Sequence, residues 1–74
     1  MKLTIHSTTK VVTLNGVGAR IWEGESASGI KVHCYIIRVA IDEEETRLEE
    51  FERELQEQES PSAEIEAIPL RMIL

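Results

Sequence analysis

Asn15-Gly16 stands between two stretches in which apolar and polar residues alternate, and no other dipeptide of the chain restricts its fold as much. Both residues tolerate positive φ, which the tight turns between antiparallel strands require. Upstream, "LTIHSTTKVVTL" (residues 3–14) is rich in Thr, Ile and Val. Leu3 and Ile5 alternate with polar neighbours, whereas Val12 and Leu14 carry even numbers, so the alternation changes phase. A bulge or bend near Ser7 to Lys10 accounts for that slip. Downstream, "VGARIWEG" sets Val17, Ala19 and Ile21 on one face and Arg20 and Trp22 on the other, the pattern of a second strand.

The Gly- and Ser-rich "EGESASG" (residues 23–29) reads as a connection. It leads into "IKVHCYIIRVAI", Ile30 to Ile41, with Ile30, Val32, Cys34 and Ile36 on one face and Tyr35, Ile37, Val39 and Ile41 on the other. A strand apolar on both faces is expected at the centre of its sheet with both sides covered.

The next segment, "IDEEETRLEEFERELQEQES" (residues 41–60), holds most of the acid. Residues 42–59 carry ten Asp or Glu against Arg47 and Arg53, a local −8 that leaves +2 for the remainder of a chain with net charge −6. Its pattern is helical: Asp42 as N-cap, Glu45 as the reciprocal partner of a capping box, and Leu48, Phe51 and Leu55 as a narrow apolar stripe. Glu43, Glu50 and Glu57 fall on the opposite side, and Arg53 is spaced for i,i+4 pairs with Glu49 and Glu57. Ser60-Pro61 ends this helix or caps a short turn through "SAEIEA". In "IPLRMIL", Ile68, Leu70, Met72 and Leu74 recur in period two, and Pro69 suits an edge strand.

The expected fold is therefore a single α+β domain over residues 1–74. It is a small antiparallel sheet of about four strands in the order β-β-β-α-β, with one acidic amphipathic helix packed on one face. A chain of 74 residues buries only about 60% of its unfolded surface, so each apolar face matters. One helix covers one sheet face, and a second copy of the chain is the simplest cover for the other, which makes a homodimer the expected assembly. The apolar fraction of 42% and charged fraction of 30% are those of a folded chain. The single cysteine, Cys34, points to a reducing cytoplasm, and neither a leader nor a membrane-spanning run is expected.

The motifs carry little chemistry. "NGVGAR" lacks the third glycine of a dinucleotide fingerprint and the Lys-Ser/Thr pair of a P-loop, and it runs from strand to strand. His33 and Cys34 are adjacent on a strand and point to opposite faces, a poor geometry for a dyad. His6 and His33 lack a clear third or fourth metal ligand. The carboxylates lie on a solvated face, where paired acid/base chemistry has no enclosing pocket. No catalytic residue, metal or cofactor is expected, and the chain reads as a non-enzyme. One Trp, one Tyr and one Phe make no stacking platform, and the acidic face repels free nucleic acid. Trp22 is either an interface anchor or packing for the second sheet face.

The run "LNGVGARIWEGESASGIKVHCYIIRVAI" (residues 14–41) resembles small uncharacterised proteins of bacterial genomes and their prophages. The resemblance implies a setting in which short acidic phage proteins inhibit host defence machinery, anti-CRISPR proteins among them. It assigns no residue a role.

Two readings follow. In the first, the chain is a phage-type inhibitor whose helix presents Glu43, Glu49, Glu50, Glu54 and Glu57 to a basic, nucleic-acid-binding surface of a host protein. In the second, it is a homodimeric structural or regulatory domain that binds through its sheet and Trp22, its acids serving only solubility.

Overall fold

The computed structural model describes residues 1–63, and they form a three-stranded antiparallel sheet followed by one short helix. Strand β1 is Leu3–Leu14, β2 is Val17–Ser26, β3 is Lys31–Ile36, and helix α1 is Leu48–Leu55. The order across the sheet is β1-β2-β3.

Asn15 (φ 49°) and Gly16 (φ 81°) make the β1–β2 turn, as their tolerance of positive φ requires. The register runs outward from Leu14 opposite Val17 to Val11 opposite Arg20, then shifts and resumes at Ser7 opposite Trp22. The irregularity therefore lies where the alternation faltered, but it acts differently from a one-residue slip. Three residues of β1, Thr8 to Lys10, face only Ile21 across the gap, so two extra residues are accommodated and side-chain parity survives. Leu3 and Ile5 share a face with Trp22, while Val12 and Leu14 lie on the face of Ala19 and Val17. The change of phase in the sequence records two faces that each need apolar residues.

The bulge is held by side chains. Thr8 is fully buried; its Oγ1 donates to the Ile21 carbonyl at 2.7 Å and accepts the Lys10 N–H at 3.2 Å. Ile21, also fully buried, has no residue opposite it on β1, so the hydroxyl supplies a donor that the ladder lacks. Arg20 reaches back and donates from Nη1 to the Thr8 carbonyl at 2.9 Å.

Two expectations about the strands are corrected. β2, not the Ile30–Ile41 run, is central, and it extends through Ser26 because "EGES" pairs with β1 on one side and β3 on the other. The connection shrinks to residues 27–30, where Gly29 takes φ 85° and the Ser26 N–H donates to the Ile30 carbonyl at 2.9 Å. β3 is an edge strand within this sheet, and its pairing stops at Ile36 opposite Arg20. Ile37 and Val39 then leave the sheet and are exposed. Apolar residues on both faces thus do not mark a central strand here; Ile37, Val39 and Ile41 belong to the departing chain.

The helix is also corrected. α1 covers eight residues, no side chain caps its start, and none of its residues is buried. Asp42 and Glu45 are engaged elsewhere: Asp42 accepts the Glu44 N–H at 2.9 Å, and Glu45 takes Arg47. Such local side-chain bonds compete with helix for the same backbone donors. Leu48 (52% exposed) and Leu55 (38%) do not pack as a closed stripe, and Phe51 is only half-buried. The expected packing of an acidic amphipathic helix on one sheet face is thus not what α1 makes. The expected fourth strand over residues 68–74 lies outside the described residues, as does the short turn through residues 62–67 from residue 64 onward.

Past α1 the chain returns as a strap. Glu59 pairs in parallel with Thr8, its N–H donating to the Ser7 carbonyl and its carbonyl accepting from Thr9, both at 3.0 Å. The Ser7 hydroxyl donates to the Glu57 carbonyl at 3.0 Å. Bulging exposes β1 backbone groups, and the strap satisfies them. Ala19 and Ile21, the buried apolar residues among those described, lie on the face that also carries His6, Glu23 and Tyr35. The core is small and sits on that side.

Candidate functional site

The acidic segment offers charge without enclosure. Of its ten carboxylates all but that of Glu45 belong to exposed residues. Glu49, Glu50, Glu52 and Glu54 lie on α1, but Glu43 belongs to the turn before it and Glu57 lies past the C-cap Gln56. The expected straight row through Glu43, Glu50, Glu54 and Glu57 is therefore a broken arc of turn, helix and strap. Arg53 closes on neither Glu49 nor Glu57 among the described residues, so its expected i,i+4 pairs are absent there.

One cation is held inside the arc. Arg47 donates from Nε to Glu45 Oε1 at 2.7 Å and from Nη2 to Oε2 at 3.2 Å, a two-pronged contact, while its N–H also reaches Oε1 at 3.0 Å. These bonds hold the Glu45 carboxyl below its usual range and raise the Arg47 guanidinium, which Glu54 raises further through its charge. Glu45, Arg47, Glu50 and Glu54 share a shallow depression of about 260 Å³ with Ile41 and Phe51. Its open acids leave it net negative.

A second site comes from the register. Counting back from the Asn15-Gly16 turn pairs His6 with Glu25, but the bulge moves His6 opposite Glu23, which in turn faces His33 on β3. His6, Glu23 and His33 thus form a row across three strands and line a groove of about 290 Å³ near Ser62 and Ala63. The strap claims two members of the surroundings: Glu59 Oε2 lies 2.9 Å from His6 Nε2, and Glu23 Oε2 accepts the Ser62 N–H at 2.9 Å. Among the described residues no group of three or more His, Cys, Asp or Glu has the arrangement to hold a metal ion. His33 and Cys34 sit opposite Glu23 and Trp22 respectively, on different faces. The sequence holds both histidines, but the size of the bulge that aligns them cannot be counted from it.

Trp22 lies at the middle of the other sheet face, between Ser7 and Cys34, and is half-buried. Around it are Leu3, Ile5, Val32, Cys34 and Ile36, none of them buried. The expectation that this face holds Trp22 apart from Ala19 and Ile21 is met. No helix among the described residues is long and apolar enough to cross a membrane.

Compared with protein-family models, curated proteins and solved structures, the chain matches none of them.

Proposed function

We propose that this chain is a non-enzymatic protein-binding module that engages a basic surface of its partner through the arc of residues 42–59. The observation that carries the reading is the placement of charge: nine of the ten carboxylates are exposed, and one of the two arginines among them is held by Glu45. Carboxylates fixed on a turn, a helix and a tethered strap can stand where phosphates would, so the favoured partner is a protein whose basic surface serves nucleic acid. The resemblance to small prophage proteins supports the same reading and makes a host defence protein the first partner to test. Glu43, Glu49, Glu50, Glu54 and Glu57 make the contact.

Association of this kind is steered by charge, fast at low ionic strength and weakened by salt. The test is capture from a bacterial lysate at low and high salt, followed by displacement of nucleic acid from the captured protein. Glu50→Lys with Glu54→Lys should reduce capture and displacement by at least tenfold while the circular dichroism spectrum is unchanged. Undiminished binding by that variant, or capture indifferent to salt, overturns the reading.

A further inference from the structure

We infer that the outer edge of β3 is a strand-accepting surface and that its occupant is this chain's own segment, residues 68–74. The inference is independent of the acidic arc and of the reading built on it. Three observations carry it: which backbone groups β3 turns outward, where the strap is heading, and where Pro69 falls.

In an antiparallel pair, residues that exchange hydrogen bonds alternate with residues whose N–H and C=O point away. The Ser26 N–H donates to the Ile30 carbonyl at 2.9 Å, which sets the phase: Val32, Cys34 and Ile36 bond to β2, opposite Gly24, Trp22 and Arg20. Lys31, His33 and Tyr35 then turn their backbone groups to the outer side. β2 agrees with this phase, since the Ile21 carbonyl points away from β3 and takes the Thr8 hydroxyl. Among the described residues, no backbone group pairs with His33 or Tyr35 on the outer side. The β1 edge is closed by the strap, and an edge left bare invites pairing with other chains.

The strap leads to the β3 edge. It pairs with Thr8 of β1 at Glu59, donates from the Ser62 N–H to Glu23 of β2, and at Ala63 lines the groove beside Lys31, Val32 and His33 of β3. Between Glu59 and Ala63 the chain thus crosses the sheet from β1 to β3. Residues 64–67 make a connection of ordinary length to the next segment, in which Ile68, Leu70, Met72 and Leu74 recur in period two.

Pro69 fixes the phase of that segment. Proline has no N–H, so in a pairing strand it sits where the backbone points away from its neighbour. That turns the backbone groups of Ile68, Leu70, Met72 and Leu74 to β3, where Lys31, His33 and Tyr35 present theirs. Pro69 and Arg71 then blunt the new outer edge. A strand from another molecule has to compete with a segment tethered within reach, at the high effective concentration of an intramolecular partner.

Amide hydrogen exchange of the full chain, followed by NMR, tests the inference, with Val32, Cys34 and Ile36 as internal standards because β2 protects them in either case. His33 and Tyr35 should exchange at least about tenfold more slowly in the wild-type chain than in Met72→Pro, with no change on about tenfold dilution. Nuclear Overhauser contacts should join residues 68–74 to β3. Met72→Pro removes a donor turned to β3, whereas Arg71→Pro removes one turned away and should keep the protection. Fast exchange at His33 and Tyr35 in the wild-type chain overturns the inference, because the edge is then bare. Protection that fades on dilution overturns it in favour of a second copy, and protection that survives Met72→Pro assigns the edge to other residues. If Met72→Pro exposes the standards as well, the wild-type contacts decide: their presence between residues 68–74 and β3 upholds the inference, and their absence overturns it.

Discussion

Thr8 shows how one hydroxyl can hold a sheet irregularity in place. Buried and donating to the Ile21 carbonyl, it cannot lose its oxygen without leaving that carbonyl unpaired. Thr8→Val, which keeps the shape, should destabilise the chain by about 1–3 kcal/mol in urea unfolding, whereas Thr8→Ser should lose much less. Tyr35 is the opposite case. Its hydroxyl is buried without a hydrogen-bond partner, and burial pushes its pKa above the usual 10.0. The folded state favours the neutral phenol, so this group's contribution to stability is full below pH 10 and declines as pH rises through the folded-state value. Tyr35→Phe should leave stability at neutral pH unchanged or slightly raised and remove that alkaline decline, measured by thermal unfolding from pH 8 to 11. Neither role is legible in the sequence. Thr8 sits among Ser7, Thr9 and Lys10, all equally suited to a bulge, and only the register shows which of them must fill the missing donor.

At the scale of elements, the hairpin was readable because its evidence is local: two residues that accept positive φ between alternating strands. The start of the helix is not legible in the same way, because its signals have competitors within a few residues. Asp42 and Glu45 have the spacing of a capping box, yet each finds a closer donor, in the Glu44 N–H and in Arg47. Four successive acids and Thr46 before α1 gain nothing from lying side by side in helical turns. Asp42→Ala should therefore leave the helical signal in circular dichroism unchanged, where a true N-cap would cost about 1 kcal/mol. Arg47→Ala should return the Glu45 carboxyl toward its usual value in a pH titration followed by NMR. The folded-state value being the lower one, the contact stabilises above the ordinary carboxylate range and is lost as pH falls through it. β3 is shorter than its apolar run for a related reason. Apolar residues on both faces report burial of some kind, and Ile41, half-buried beyond the strand, finds it outside the sheet.

For the molecule as a whole, the strap is what sequence patterning could not supply, since nothing in "EQES" marks it as a pairing segment. Its bonds at Ser7 and Thr9 should appear as slowed amide hydrogen exchange at Thr9 and Glu59, against fast exchange at the exposed Glu43. Exchange at Glu59 as fast as at Glu43 would mean that the strap does not stay closed. The Ser7 hydroxyl and the Glu57 carbonyl are 50 residues apart in sequence, whereas the β1–β2 turn joins neighbours. Closing so long a loop costs chain entropy before any bond offsets it, and contacts of that separation form late. The hairpin should therefore assemble first, with the bulge open along its outer edge, and the strap should arrive last. Ser7→Ala would then speed unfolding while leaving the folding rate nearly untouched. Until the strap arrives, a nascent chain carries an unpaired edge at Ser7 to Thr9, and its tendency to self-associate during refolding is set by the time that edge stays bare.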